Sequence, residues 1–304
     1  MKKIYHRNIN LESNDFQNMV IFLTNIYGKG NHSWTLGRLY GWRYGLWSPE
    51  SRNPEIFCKS AELFFDDSET LLGFIILESC GGSTATIFAS DDKQVFEEMV
   101  DFLDMGGNFE KEYSIYCSEN NLLEVEDLRN RKYTDVYYQD TTYEYCVEDI
   151  VLPVVDLPNG YTLTDEENFL NEDILERFRF SVFNPGTAFT EEIAWAYHYS
   201  RQNPFTKKKL CIVLNDENNS PVSSCVGYFD VENSDVEIEV VCTKKEEEGR
   251  GYAKAVIAEC IRRSMEMGAK RVNISGWNTL TKHLYSSFGK HTAIQKVEFR
   301  KEGD

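Results

Sequence analysis

The 304-residue sequence predicts an α/β (α+β) protein made of two domains in tandem, each a mixed, mostly antiparallel sheet flanked by helices. Three observations carry this prediction. Residues 236–289 pass from strand to glycine turn to amphipathic helix to strand in close succession. The order of strand-like and helix-like runs in that half recurs in the first half. The length is also more than one hydrophobic core of ordinary size encloses.

Taken in order, Ile4 and Tyr5 begin a short strand, and a helix around Phe16 to Ile26 is closed by Gly28-Lys-Gly30. An aromatic run follows with Trp34, Leu36, Leu39, Tyr40, Trp42, Tyr44, Leu46 and Trp47. Such side chains serve as packing bulk more often than as a ligand-binding wall, so a core helix is expected here. Strand-like runs at Ile56 to Phe65, Leu71 to Ser79 and Thr84 to Ala89 are separated by Asp-Asp-Ser and Gly-Gly-Ser turns. Next come a helix from Asp92 to Leu103, a strand from Tyr113 to Cys117, a helix from Leu122 to Asn130 and a strand from Tyr133. The second half repeats the order, with strands at Lys209 to Leu214, Val222 to Asp230 and Val236 to Thr243, then helix 252–267, strand 271–275, helix 279–287 and strand 292–300. The match lies in order and spacing, not in identities, and reads as an internal duplication. Leu-Pro-Val-Val-Asp-Leu-Pro, ending at Pro158, interrupts both patterns and suggests domains at 1–148 and 149–304.

The formal charge of −18 argues against nucleic acid or an anionic membrane as partner. Eight scattered cysteines form no Cys-x-x-Cys pair and read as free thiols in a reducing compartment. Five histidines show no zinc-ligand spacing, so no metal is expected. The opening Met-Lys-Lys-Ile-Tyr-His-Arg leads into no apolar run of membrane-spanning or signal length, and a cytoplasmic protein is expected.

Function is concentrated in 236–289. Val236 to Val241 alternates apolar and acidic residues as a strand does, and Glu237 and Glu239, two apart, point to one side of it. The turn that follows holds Gly249 and Gly251. Ala253, Val256, Ile257, Cys260, Ile261 and Ser264 then form one helix face. A strand feeding a glycine turn at a helix start is suited to anions: the first helical amides lack intrahelical partners, the macrodipole adds positive charge, and glycines allow close approach. An ordinary strand-to-helix turn is the plainer alternative.

Glu248-Gly249-Arg250-Gly251-Tyr252-Ala253 resembles the Arg/Gln-x-x-Gly-x-Gly/Ala signature of the GNAT superfamily of acetyl-CoA-dependent N-acetyltransferases. Asn278, Thr281, Leu284, Tyr285 and Gly289 match its second signature in the same spacing. Glu248 departs from the pattern, because its carboxylate stands where the family has Arg or Gln. The resemblance implies that the strand before the turn bulges at Val241, Cys242 and Thr243 to admit the pantetheine arm. It implies that the Val241 N–H polarises the acetyl carbonyl, that Glu248 to Ala253 hold the pyrophosphate, and that Asn278 supports the cofactor. Tyr285 would protonate the departing thiolate, and Glu237, aligned with the catalytic glutamate of histone acetyltransferase members, or Glu239 would be the base if burial raised its pKa. The plainer alternatives are a solvated face for the two glutamates with water as base, a core aromatic for Tyr285 and a turn residue for Asn278.

The first half has Ala89-Ser-Asp-Asp-Lys-Gln94 in place of the glycine turn and Leu128 near the place of Tyr285, although Asn121 aligns with Asn278. It reads as a degenerate GNAT-like domain that keeps the scaffold and has lost the anion cradle. Three weaker features remain. Lys207-Lys-Lys209 is placed to meet a 3′-phosphate or solvent; Trp195, Tyr197, His198 and Tyr199 line an acceptor pocket or a packed helix face; and Trp277 flanks the cofactor or fills the sheet end. The resemblance as a whole implies direct acetyl transfer from acetyl-CoA to a primary amine of a small molecule, an aminoglycoside-like compound or a peptide. No metal or covalent intermediate is implied, and a homodimer is compatible. The alternative from another class is a non-catalytic acyl-CoA-binding or interaction module.

Overall fold

The computed structural model describes residues 3–27, 36–46, 49–77, 84–106, 114–169 and 172–301. Gly28-Lys-Gly30, Trp34, Trp47, Cys80, the Gly-Gly-Ser turn and the expected strand ends at 78–79 and 113 lie outside them. In chain order the elements are β1 (Ile4–Asn8), α1 (Asp15–Tyr27), α2 (Leu36–Arg43), α3 (Pro54–Cys58), β2 (Ala61–Asp66), β3 (Leu71–Leu77), β4 (Thr84–Ala89), α4 (Lys93–Asp104), β5 (Ser114–Ser118), α5 (Leu122–Asn130) and β6 (Tyr133–Cys146). They continue as β7 (Thr162–Asp165), α6 (Glu172–Phe183), α7 (Glu191–Arg201), β8 (Thr206–Asn215), β9 (Pro221–Asp230), β10 (Asp235–Thr243), α8 (Tyr252–Glu266), β11 (Arg271–Gly276), α9 (Thr279–Tyr285) and β12 (Thr292–Lys301).

One local reading is corrected. Ile56 opens no strand, because Asn53 caps a short helix by accepting from the Glu55 amide at 2.9 Å and Pro54 takes the first helical position. These start signals override the β-propensity of Ile56 and Phe57.

The chain divides into two units, residues 1–140 with 294–304, and residues 141–293. In the first, the strand order is β1-β2-β3-β4-β5-β12, antiparallel except for the parallel pair β4 and β5. In the second it is β6-β11-β10-β9-β8-β7, antiparallel except for β10 and β11. The two sheets share one plan, with an exchange at the last position. Chain order would place β6 after β5 and β12 after β11, yet β12 pairs β5 and β6 pairs β11. The boundary read at 148/149 and this division therefore differ: the division falls at 140/141, within a strand that runs on without a break signal, and returns 294–304 to the first unit.

In the second unit Val236 and Ile238 of β10, Leu210 of β8, and Val256, Ile257 and Cys260 of α8 share one core cluster. Side chains alternate along a strand, so Glu237 and Glu239 are on the other face. There Val213 and Cys242 pack with Phe169, Leu175 and Phe178 of the segment leading into and through α6. Cys117, Cys211, Cys225, Cys242 and Cys260 are buried free thiols, whereas Cys146 is exposed. Among the described residues no helix is long and apolar enough to cross a membrane.

Candidate active site

Between the registered pairs Glu239↔Val226 and Cys242↔Ser224, β10 advances three residues against two of β9, which is a β-bulge. Val240 lies in it with φ +53°, a left-handed conformation that a β-branched residue rarely adopts. Ser223 holds the far side, donating from Oγ to the Cys242 carbonyl at 2.9 Å and sharing a 2.9 Å hydrogen bond with Thr243 Oγ1. Registered pairing of β10 with β11 ends at Ile238↔Ile274, so Glu239 to Thr243 have parted from a neighbour that itself continues to Gly276. Val240 and Val241 fall outside the registered pairs on either side.

From this opened end the chain turns through Lys244 to Gly251. Gly249 has φ +78° and Gly251 φ +82°, which glycine alone adopts without strain. Gly251 is the N-cap of α8 and provides no side-chain cap, so the first helical amides keep their donors for a ligand. The corresponding helix start in the first unit is closed: Asp92 caps α4, its Oδ1 accepting from the Gln94 amide at 3.0 Å. The Glu248 carboxylate, half-exposed, is 3.3 Å from Lys245 Nζ, and Arg250 pairs with Glu247 at 3.3 Å. Tyr252 turns its ring into the core beside Tyr161, and Ala253 is partly buried in the first turn.

Asn278 caps α9. Its Oδ1 accepts from the Thr281 amide at 2.8 Å, and Thr281 Oγ1 accepts from the Asn278 amide at 3.2 Å. That oxygen is therefore committed to the helix. At the other end of α9, Tyr285 is buried, and its ring lies so close to the end of β11 that a Cβ on Gly276 would meet Cδ2 at 3.2 Å. The Tyr285 carbonyl accepts from Tyr145 Oη. Burial, reinforced by the negative charge of Glu239, pushes the Tyr285 phenol well above its ordinary value. Glu239 also raises the phenol of Tyr228, on which burial acts first. Glu239 thus lies at the edge of the bulge, within electrostatic reach of both phenols. Glu237 is two residues earlier, buried, and opposite Tyr228 and Asn273 in register.

Of the other sequence candidates, Trp277 is 69% exposed and so does not fill the sheet end. Trp195 and Tyr199 form an exposed ring pair on α7 with centroids 4.8 Å apart, while Tyr197 is buried. Lys207 Nζ donates to the Pro204 carbonyl at 2.7 Å. The sequence reading missed Tyr228 and a buried ion network under the same face. Arg179 donates to Ser224 Oγ at 2.9 Å and to Glu166 Oε1 at 2.8 Å, and Arg201 bonds the same oxygen. The only local signal is an arginine inside the apolar run Phe178-Arg-Phe180. Among the described residues no group of three or more His, Cys, Asp or Glu is placed to hold a metal ion.

Residues 170–289 match the Acetyltransferase (GNAT) family model. No curated protein matches the chain. Among solved structures, a GNAT-family acetyltransferase from Colwellia psychrerythraea is similar with TM-score 0.63 and 12% identity, covering 98% of this chain and 100% of its own. A tandem GNAT protein from the clavulanic acid biosynthesis pathway gives TM-score 0.60 and 7% identity over 99% and 100%. A GCN5-related N-acetyltransferase from Sphaerobacter thermophilus gives 0.54 and 11% over 99% and 97%. Those identities speak to fold alone; the family match speaks to the second half. The chain is thus similar to the Acetyltransferase (GNAT) family over residues 170–289, and its fold is similar to that of a tandem GNAT protein.

Proposed function

We propose that the second unit is an N-acetyltransferase that moves the acetyl group of acetyl-CoA directly to a primary amine of a small molecule or peptide. The observation that carries this reading is the uncapped, glycine-turned start of α8 beside the opened end of β10. The residues present fit the cosubstrate: free amides and the helix dipole favour a pyrophosphate, and a strand end parted from its neighbour leaves backbone groups for the pantetheine arm. Bound there, acetyl-CoA supplies an activated thioester.

The chain's own groups then have distinct tasks. Amides of Gly249 to Ala253 hold the anion, with Arg250 adding positive charge at the rim. The Val241 N–H, in the bulge, is placed to polarise an acyl oxygen. Glu239 is favoured over Glu237 as base because it borders the bulge, and it takes the amine proton directly or through water. Tyr285, kept protonated by burial, donates to the leaving thiolate. Asn278 shapes the site as the cap of α9.

The test is thiol release with acetyl-CoA across a panel of amines, paired with calorimetric binding. Turnover on at least one amine, lost in Tyr285→Phe, supports the reading. Binding without release on any amine would leave a non-catalytic acyl-CoA-binding module.

A further inference from the structure

A cavity of 310 Å³ lies within the second unit on the α6 and α7 side, with Glu166, Glu176, Arg201 and Thr206 in its lining. His198 and Gln202 also line it and are hydrogen-bonded to each other at 2.7 Å. The cavity shares the sheet face of the bulge. Thr206 of β8 is registered with Tyr228 of β9, and Tyr228 with Glu237 of β10. Registered residues face the same side, as do residues two apart on a strand, so Glu239 follows on that side as well. Tyr228 joins the two ends, its phenol within electrostatic reach of Arg201 in the cavity wall and of Glu239. Two strand spacings and two residues separate Thr206 from Glu239, roughly 12 Å. An extended chain covers that distance in about ten bonds.

The charges at this cavity are matched among themselves. Glu166 is bonded by Arg201 and by the fully buried Arg179, which lies outside the lining, and Glu176 is 3.8 Å from Arg201. Lys208, also in the lining, is exposed and already engaged. A charged ligand group would therefore be desolvated with no opposite charge reserved for it, which is costly. An uncharged polar group needs only hydrogen bonds. Thr206 can supply one, because its Oγ1 is buried without a partner and rotation about χ1 re-aims it within the wall. A buried hydroxyl with no bond is unfavourable, and a ligand group that both donates and accepts, as an amide or hydroxyl does, removes that penalty.

Granted acetyl transfer at the bulge, on which this rests, we propose that the acceptor is an elongated primary amine whose far end is an uncharged amide or hydroxyl, seated in this cavity and bonded by Thr206. The amine end lies at Glu239, Tyr228 borders the connecting chain, and the far group exchanges hydrogen bonds with Thr206 Oγ1. Chain length and the neutrality of the far group then set specificity, since an unmatched partner leaves buried polar groups unpaired.

The experiment is thiol release from acetyl-CoA by the intact protein with five amines: 8-aminooctanamide, 8-aminooctanoate, 1,8-diaminooctane, octylamine and the short 4-aminobutanamide. The long amide should exceed each of the others in kcat/KM by roughly tenfold, about the worth of one hydrogen bond to a buried group. Thr206→Val should raise KM for it by a similar factor with kcat unchanged, and should leave the thermal midpoint of the ligand-free protein where it was. Calorimetry of the long amide on the CoA-loaded protein separates this inference from the transfer reading. Thr206-dependent binding there without thiol release would keep the cavity's role and defeat the transfer. Equal efficiency on octylamine, 8-aminooctanoate or 4-aminobutanamide, or an unchanged KM in Thr206→Val, would overturn the inference while leaving the transfer intact.

Discussion

Glu248 and Tyr285 make the residue-scale account testable. Glu248 stands near the expected pyrophosphate, and its exposed pairing with Lys245 offsets only part of its repulsion, since surface ion pairs are weak and screened. Glu248→Gln should tighten acetyl-CoA binding a few-fold, with the gain shrinking as salt rises; weaker binding at low salt would instead assign Glu248 to shaping the turn. Tyr285→Phe should lower turnover by roughly 10²–10⁴-fold with near-normal acetyl-CoA affinity, as loss of a proton donor does. A fully active Phe variant would reduce Tyr285 to packing. Both residues were legible because each lies in a spaced signature. Asn278 was legible only as two alternatives, because a helix-capping oxygen and a ligand-binding oxygen look alike in a sequence; in the structure its Oδ1 caps α9.

At the scale of elements, α6, α7 and β9 are tied by the Arg179, Arg201 and Glu166 network. Burial pushes the Glu166 carboxyl up, but Arg201 and Arg179 outweigh it and hold the group at about 2 instead of its ordinary 4.5. A depressed carboxyl contributes stability that is full above about pH 4.5 and is lost as pH falls toward 2, here about 3 kcal/mol. Denaturant unfolding followed over that window should show the loss in wild type and lack this contribution in Glu166→Gln. That variant should also be destabilised by roughly 3–5 kcal/mol at neutral pH, because it leaves the fully buried Arg179 guanidinium without its carboxylate, whereas Arg201 keeps Glu176. Parallel pH curves would contradict the assignment. This network could not be read from the sequence, since Arg179 and Glu166 are 13 residues apart with no periodic signal joining them. The turn and α8 could be read, because glycine placement and a 3.6-residue apolar period are local. The start of α3 was misread because Pro54 is a stronger signal than the apolar residues after it.

At the scale of the whole molecule, the duplication was legible as element order, whereas the exchange of final strands was not, because nothing local in β6 or β12 specifies which sheet each one closes. Val297 and Phe299 of β12 belong to the first unit's core, and Glu298 accepts from Ser114 Oγ at 2.7 Å. Deleting 292–304 should therefore strip hydrogen-exchange protection from β5 and its neighbours in the first unit; retained protection there would contradict the pairing. The central claim is that one unit is equipped for the cosubstrate and the other is not, because Gly251 opens a helix start that Asp92 closes in its counterpart. Calorimetric titration of the intact chain with acetyl-CoA tests this most directly. It should give one site per chain, and Gly251→Asp, which puts a carboxylate at that cap and a side chain at φ +82°, should remove it. Two sites per chain, or normal affinity in Gly251→Asp, would contradict the claim.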